Sequence, residues 1–250
     1  MINHVQRKNG QLLERQASGI EGLDALLHGG FPVGRTTLIA GEPGTGKTIF
    51  SLQYLLTGLK LGQSVVYISI DEKPHHILMD ADALGWDLRP YMENGQLKII
   101  DVTKYFSSHE MGVQPEVEGQ RVIDDILRYV RESGAQRLAI DPIAPVIFNP
   151  AQDSGVIVEY IRGLVFALEE NVNCTTLITS YVPVGSNKLS LHGVEEFVAS
   201  GIIVLKLCQN QQGKTIRTIA IRKMRGTRIE LSQYSCEILP DRGLVLRQAL

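Results

Sequence analysis

The sequence is poor in features that would place it outside ordinary globular proteins. Its three cysteines, Cys174, Cys208 and Cys236, are far apart and form no CxxC pair. This spacing favours unpaired thiols in a reducing compartment over a disulfide framework. No apolar run reaches the roughly 20 residues that a spanning helix needs, and the polar N-terminus lacks the apolar region of a secretory signal. We therefore expect a soluble, cytoplasmic protein without a membrane partner.

An excess of charge of either sign is also missing. Lys and Arg total 25, Asp and Glu total 27, and the formal net charge is −2. We find no basic run and no interleaving of basic with aromatic residues, so the composition does not favour nucleic acid as a partner. The 250 residues, 44% of them hydrophobic, suffice for one large α/β domain with a sizeable core.

Strand-like and helix-like segments alternate along most of the chain, which predicts a mostly parallel sheet flanked by helices. The predicted strands of this part are 35–40, 64–70, 97–100, 137–140 and 174–179, and the predicted helices are 47–60, 74–84, 122–131 and 156–170. After residue 200 the pattern changes to a hairpin, 201–207 with 215–221, followed by short strands at 234–238 and 244–246. The polar stretch 105–120 predicts a surface loop, either a simple connection or a partner-docking segment.

The segment GEPGTGKT matches the phosphate-binding pattern GxxxxGK[ST] between a predicted strand and a predicted helix. Backbone N–H groups of such a loop surround phosphate oxygens, and the helix N-terminus favours the anion. Lys47 supplies a cation for the terminal phosphates and the Thr48 hydroxyl a ligand for Mg²⁺. The predicted ATP-binding residues of this segment are Gly41, Glu42, Pro43, Gly44, Thr45, Gly46, Lys47, Thr48 and Ile49.

Acidic residues follow three of the predicted strands. Asp141 and Asp101 each end one of them, and both are candidate partners of Mg²⁺. Asp71 and Glu72 follow the strand after the P-loop helix. Because side chains alternate along a strand, we expect one of these two acids to face the attacking water and the other to support it.

Two further groups of residues allow more than one interpretation. Lys223 and Arg225 lie two positions apart, which places both on one face of an extended segment, where they suit either a bound phosphate or a solvated edge strand. His75 and His76 start a predicted helix without a third metal ligand nearby in sequence, so we interpret them as surface residues that point apart.

Several blocks of sequence together resemble the KaiC-like ATPases of the RecA superfamily, over about residues 17–245. The blocks are SGIEGLDALLHGG, the P-loop, ISIDEKP, GWDL, HGVEEFV and KMRGT. The resemblance implies an α/β RecA-like P-loop NTPase whose mostly parallel sheet carries a C-terminal antiparallel hairpin extension. It also implies a single ATPase domain over residues 17–250 after an N-terminal segment, residues 1–16.

The resemblance assigns roles to residues that spacing left open. It favours Asp141 over Asp101 as the partner of Mg²⁺, because similar P-loop folds place their acid at the end of that strand. Glu72 is expected to be the catalytic base and Asp71 its support, since the family usually has Glu where Asp71 stands. Lys223 and Arg225 match a pair that family members insert into the neighbouring subunit's nucleotide site, and Met224, Thr227 and Asp241 join the expected nucleotide contacts. The protein is then a slow Mg·ATP hydrolase that forms a homo-oligomeric ring, commonly a hexamer, and docks a small KaiB-like partner.

Two departures from the family limit what carries over. The chain has the length of one ATPase domain, whereas the member of the family that acts in the circadian clock has two such domains in tandem. Where the self-phosphorylating domain has an adjacent Ser-Thr pair, residues 195–200 read EEFVAS, so we do not expect autokinase activity. The alternative functions are a RecA- or RadA-like DNA recombination or repair ATPase, and a scaffold that ATP stabilises without being hydrolysed.

Overall fold

The computed structural model describes residues 6–8, 11–102, 115–143, 154–182, 184–186, 188–210 and 212–250. The strands, in chain order, are β1 (Gln6–Lys8), β2 (Gln11–Leu13), β3 (Arg15–Gln16), β4 (Phe31–Pro32), β5 (Thr36–Gly41), β6 (Val65–Ser69), β7 (Leu97–Asp101), β8 (Arg137–Asp141), β9 (Thr175–Tyr181), β10 (Gly201–Gln209), β11 (Thr215–Met224), β12 (Gln233–Leu239) and β13 (Gly243–Ala249). The helices are α1 (Leu23–Leu26), α2 (Lys47–Lys60), α3 (Pro74–Ala83), α4 (Arg89–Glu93), α5 (Pro115–Glu132), α6 (Ser154–Asn171) and α7 (Glu195–Val198).

One nine-stranded sheet organises the described residues, in the order β13-β12-β11-β10-β5-β9-β8-β6-β7. The strands from β10 to β7 in this order pair in parallel, while β10, β11, β12 and β13 pair antiparallel. The predicted α/β sheet with a C-terminal antiparallel extension is therefore confirmed. Parallel strands place their carboxyl ends at one edge of the sheet, which is where α/β proteins bind ligands.

The central strands are apolar on both faces because helices cover both. Leu38 of β5 packs into a core with α5 and α6, while its neighbour Ile39 packs into a second core with α2. Such strands lack the alternation of a half-exposed sheet and read as short continuous apolar runs. This explains why their positions could be predicted to within one or two residues.

The predicted surface loop at 105–120 is wrong in its last part. Helix α5 begins at Pro115, so residues 115–120 are helical rather than loop. Proline fits the first turn of a helix, where its missing N–H costs nothing. The charged first turns of α5 resemble loop composition, and this concealed the start of the helix. Residues 105–114 of the predicted docking segment lie outside the described residues.

In the described ranges, no helix combines the length and the apolar character needed to cross a bilayer. The three cysteines are unpaired, as the spacing predicts, and Cys174 and Cys236 are buried. The boundary placed after residue 16 stays a prediction.

Gly58 of α2 gives a test of how closely the sheet packs on the P-loop helix. A Cβ at this position would lie 2.6 Å from Cδ and Nε of the buried Arg137. Gly58→Ala should gain about 0.5–1 kcal/mol of helix preference but lose about 1–3 kcal/mol to the overlap. We expect a net loss of unfolding free energy, measured by urea denaturation. Gly163→Ala in α6 is the matched control, because its Cβ would meet Ile123 at an ordinary 3.5 Å; a loss of equal size there would contradict the overlap argument.

Candidate nucleotide site

The P-loop connects β5 to α2 at the carboxyl edge of the parallel strands. Gly44 and Gly46 have φ values of 78° and 105°, a left-handed region that L side chains adopt only with strain. These conformations turn the backbone around an open concavity, and a Cβ on Gly44 would meet no atom within 4 Å. Thr45 closes the loop from inside, since its hydroxyl donates to the Glu42 carbonyl at 2.8 Å.

Lys47 lies inside this loop with its ammonium against the backbone. Its Nζ donates to the carbonyls of Gly41 at 2.8 Å and Glu42 at 3.0 Å, and it lies 4.9 Å from the centre of the Tyr181 ring. Burial lowers the pKa of Lys47, and the nearby Asp141 carboxylate opposes this shift. A desolvated cation at a helix N-terminus is suited to a phosphate group. Thr48 follows it in the first turn of α2, as the pattern requires.

The buried side-chain amide of Gln53 connects α2 by hydrogen bonds to segments near both ends of the chain. Gln53 Nε2 lies 3.0 Å from the carbonyls of Gly19 and Arg242 and 3.1 Å from that of Leu244, and its Oε1 accepts from the Leu244 N–H at 2.7 Å. These contacts hold the β12–β13 hairpin against the P-loop helix. The orientation of the cradle therefore depends on residues about 190 positions away in sequence.

Arg217 is a P-loop contact that sequence analysis missed. It lies on β11, and its Nη2 donates to the Gly44 carbonyl at 3.3 Å. The approach is possible because β11 starts at the same edge of the sheet where β5 ends, with Gln209 opposite Thr215 and Leu205 beside Gly41. No local pattern marks this arginine, since the contact spans 173 residues.

The sheet order distinguishes Asp141 from Asp101. Strand β8, which ends at Asp141, lies two strands from β5, whereas β7, which ends at Asp101, lies four strands away at the edge. From the usual spacing between strands, β8 lies roughly 10 Å from β5, and β7 lies roughly 19 Å from it. Asp141 is buried and accepts hydrogen bonds from Tyr67, at 2.7 Å, and from Thr179. Neither hydroxyl was anticipated from the sequence.

The two candidate acids have different environments. Asp71 is exposed and its Oδ2 accepts from the Tyr181 hydroxyl at 2.8 Å. Glu72 is half-buried, and its Oε2 is buried without a hydrogen-bond partner in the part of the chain that the structure describes. Burial raises the pKa of Glu72, the carboxylates of Asp80 and Asp141 add to the shift, and His76 opposes it. An unpartnered carboxylate oxygen is available to accept a proton or a water hydrogen.

The expectation that strand alternation turns Asp71 and Glu72 in different directions is wrong. β6 ends at Ser69, so Asp71 and Glu72 lie in the following turn, where strand alternation does not apply. The turn is held by Ser69, whose hydroxyl donates to the Glu72 carbonyl at 2.6 Å and accepts from the Glu72 N–H at 3.1 Å. The two carboxylates differ in environment because of this turn and the Tyr181 contact, not because of the pleat of a strand.

Lys223 and Arg225 lie toward the amino ends of the parallel strands, whereas the P-loop of the same chain lies at their carboxyl ends. Lys223 is level with Leu38, near the start of β5, while the P-loop follows its end at Gly41. The Lys223 Nζ donates to the carbonyls of Glu196 at 3.0 Å, Phe197 at 3.4 Å and Ala199 at 2.7 Å. Arg225 Nη2 also donates to the Phe197 carbonyl, at 3.3 Å. Both cations thus gather at the carboxyl end of α7.

The remaining expected nucleotide contacts are divided between two places. Met224 and Thr227 are close in sequence to the cation pair, but the Met224 side chain is buried in the core, and its carbonyl accepts from the Thr227 N–H at 3.0 Å. The Thr227 hydroxyl is buried and has no hydrogen-bond partner among the described residues. Asp241 lies on the turn between β12 and β13, where its N–H donates to the Leu84 carbonyl at 2.9 Å. The single chain does not bring Asp241 together with Thr227.

His75 and His76 are exposed, as predicted, but their ring centroids are 4.1 Å apart rather than pointing away from each other. Within the described ranges, no three His, Cys, Asp or Glu residues are grouped as metal ligands. This is compatible with Mg²⁺ at Thr48 and Asp141, because Mg²⁺ usually keeps waters and phosphate oxygens and takes only one or two protein ligands.

The sheet order, the P-loop and the acids at the carboxyl edge define a RecA-like P-loop NTPase fold. A protein-family model described as "ATPase: KaiC" matches residues 16–249. A UPF0273 protein of Thermotoga maritima is 33% identical over 241 residues, covering 94% of this chain and 96% of that protein. The chain belongs to the KaiC ATPase family.

Two further comparisons show how the chain relates to longer and to solved members. The circadian clock oscillator protein KaiC of Nostoc sp. is 34% identical over 251 residues, but this chain spans only 45% of its length. A crystal structure of a KaiC-like protein from the hyperthermophilic archaeon Pyrococcus horikoshii OT3 has a TM-score of 0.80 and 34% identity, with 94% of this chain and 100% of the other covered. The fold class and the family resemblance are therefore confirmed.

Proposed function

We propose that the protein binds Mg·ATP and slowly hydrolyses it to ADP and phosphate in a homo-oligomeric ring, in the cytoplasm. The observation that carries the proposal is the separation of the Lys223–Arg225 pair from its own P-loop. A cation pair at the far edge of the sheet cannot reach the cradle of the same chain, but a neighbouring copy can receive it. A head-to-tail contact of this kind generates a closed ring when the rotation closes, and the family favours a hexamer.

The P-loop side of each chain supplies one half of the site. The loop N–H groups and Lys47 would hold the phosphates, and Thr48 with Asp141 would hold Mg²⁺, which supplies charge neutralisation during phosphoryl transfer. Glu72 would accept the proton of the attacking water through its unpartnered Oε2. Asp71, fixed by Tyr181, would support it. Arg217 touches the loop from β11, and Asp241 of the β12–β13 turn would add a further nucleotide contact.

Lys223 and Arg225 supply the other half. In the free chain their ammonium and guanidinium groups rest on carbonyls at the end of α7. In a ring they would stabilise the charge of the γ-phosphate in the neighbouring subunit. The backbone at Met224 and the Thr227 hydroxyl would accompany them across the interface. Hydrolysis would then require assembly, and the nucleotide state would influence assembly in return.

We further propose that nucleotide state controls the docking of a small protein partner. The support is family membership, since several relatives are circadian clock proteins. Residues 105–114 with the first turns of α5 are the candidate docking segment. Self-phosphorylation is not part of the proposal, because Glu195 and Glu196 occupy the stretch where an adjacent Ser-Thr pair would be required.

The decisive experiment measures mass in solution with and without Mg·ATP and follows phosphate release on the same sample. We expect a ring that forms or tightens with Mg·ATP and releases phosphate. A monomer that hydrolyses ATP at the same rate at all concentrations would contradict shared sites. A ring that forms with Mg·ATP and releases no phosphate would support the scaffold alternative instead.

The environment of Glu72 leads to a pH prediction. A carboxylate acts as a base only when it is ionised. Because the pKa of Glu72 is raised, its carboxyl group ionises only at a higher pH than an ordinary glutamate. The acid limb of the kcat profile should therefore lie above the ordinary glutamate pKa of about 4.3. Asp80→Asn removes the largest charge contribution and should move the limb to lower pH. Phosphate release at saturating ATP measures both profiles, and a limb that does not respond to Asp80→Asn would argue against Glu72 as its origin.

A further inference from the structure

A cavity of about 360 Å³ opens on the sheet face opposite to the P-loop helix. Its floor includes Val204, which packs into the core of α5 and α6, whereas the adjacent Ile203 and Leu205 pack with α2. The cavity is therefore separated from the P-loop by the thickness of the sheet. Its volume lies within the range of roughly 300–1,000 Å³ that is typical of small-molecule sites.

The register of β10 and β11 explains the shape of the floor. Val204 lies opposite Ala220 and Lys206 opposite Thr218, so these four side chains share one face of the sheet. Ala220 is the smallest of these four side chains. The result is a small apolar floor with a cation at one end.

Among the described residues, the rim carries three cations and no acid. Lys206, Arg222 and Lys188 line the cavity together with neutral residues. None of the three forms an ion pair with another described residue. Burial raises the pKa of Glu196, and Lys188 opposes that shift, so part of the Lys188 charge is already balanced. No described residue forms an ion pair with Lys206 or Arg222, and a walled cleft concentrates the field of a single sign.

We propose that this cavity binds a small organic phosphate. Arg222 lies four positions beyond Thr218 on β11, roughly 13 Å along the strand from the level of Lys206. A ligand between them would place its anionic group on the guanidinium fork, which suits phosphate geometry. Its apolar body would cover Val204 and Ala220. The sheet separates the cavity from the chain's own P-loop, so this binding can be measured on a chain whose P-loop is disabled.

Calorimetry with phenyl phosphate and methyl phosphate tests the proposal on the Lys47→Ala chain, in which the P-loop has lost its phosphate-binding cation. Because the phenyl ring buries additional apolar area, phenyl phosphate should bind about tenfold more tightly than methyl phosphate. Combining Lys206→Gln with Arg222→Gln should weaken phenyl phosphate binding about tenfold or more. Ala220→Leu, which fills the floor, should weaken phenyl phosphate more than methyl phosphate.

Lys98→Gln combined with Arg121→Gln is the matched control, since both are exposed cations outside the cavity. This pair should leave binding unchanged. Equal affinity of the cavity variants and the Lys47→Ala parent would overturn the proposal, as would the absence of phenyl phosphate binding at millimolar concentration. A change in solution mass on substituting Lys206 and Arg222, without a change in phosphate binding, would assign the cavity to a chain contact and would also overturn it.

Discussion

Glu72→Gln is expected to lower ATP turnover by about two to four orders of magnitude, the range typical of losing a general base. The amide keeps the size of the side chain but cannot accept the proton of the attacking water. ATP binding and ring mass should stay near those of the unaltered protein, because Glu72 contacts neither the P-loop nor the α7 end in the described residues. Single-turnover phosphate release, with nucleotide binding measured separately, distinguishes the two effects.

Asp71→Asn is the matched comparison for this substitution. Its carboxylate already accepts the Tyr181 hydroxyl, so we expect a smaller loss of turnover than for Glu72→Gln. A larger loss for Asp71→Asn would exchange the roles of the two acids. Unchanged turnover in Glu72→Gln, with measurable hydrolysis in the unaltered protein, would remove Glu72 from the chemistry.

The second large effect is expected from Arg225→Ala. A trans-acting arginine contributes about three to five orders of magnitude to phosphoryl transfer in enzymes that use one. Turnover should fall steeply although every residue of the chain's own cradle is intact. The loss should be partly reversed by mixing this variant with Glu72→Gln, because the Glu72→Gln chain donates an intact Arg225 to a neighbour with an intact Glu72.

The size of the recovery is set by random assembly. In an equal mixture, about a quarter of the interfaces in a head-to-tail ring combine both intact halves. Phosphate release should rise toward that fraction of the unaltered rate. Arg228→Ala, three positions further along, is the control and should neither abolish turnover nor complement Glu72→Gln. Rings that form in the mixture but show no recovery would contradict shared sites.

Sequence reasoning succeeded where the signal is local. The P-loop pattern, the strand that ends at Asp141 and the hairpin after residue 200 are each encoded within short windows. Gly44 and Gly46 mark the cradle because few other residues tolerate their backbone conformation. The sheet order places the strand of Asp141 nearer to the P-loop strand than the strand of Asp101, and Asp141 as the Mg²⁺ partner stays a prediction.

Contacts between distant segments could not be predicted. Arg217 at the Gly44 carbonyl and Tyr181 between Lys47 and Asp71 depend on which strands become neighbours, and sequence spacing does not contain that information. The start of α5 at Pro115 was concealed by its polar composition. The proposed role of Lys223 and Arg225 lies across an interface between chains, which neither spacing nor one folded copy displays.

The Gln53 amide has a consequence for the order in which the protein matures. Its partners at Gly19, Arg242 and Leu244 are 34, 189 and 191 positions away. A growing chain with a complete P-loop and α2 still lacks most of these partners until residues 242–244 have been synthesised. Until then, the Gln53 amide has no protein partners for most of its hydrogen bonds and must stay exposed to water. This opposes the packing of α2 against the rest of the fold. Nascent chains should therefore acquire a firm nucleotide cradle late, after most of the sheet has formed.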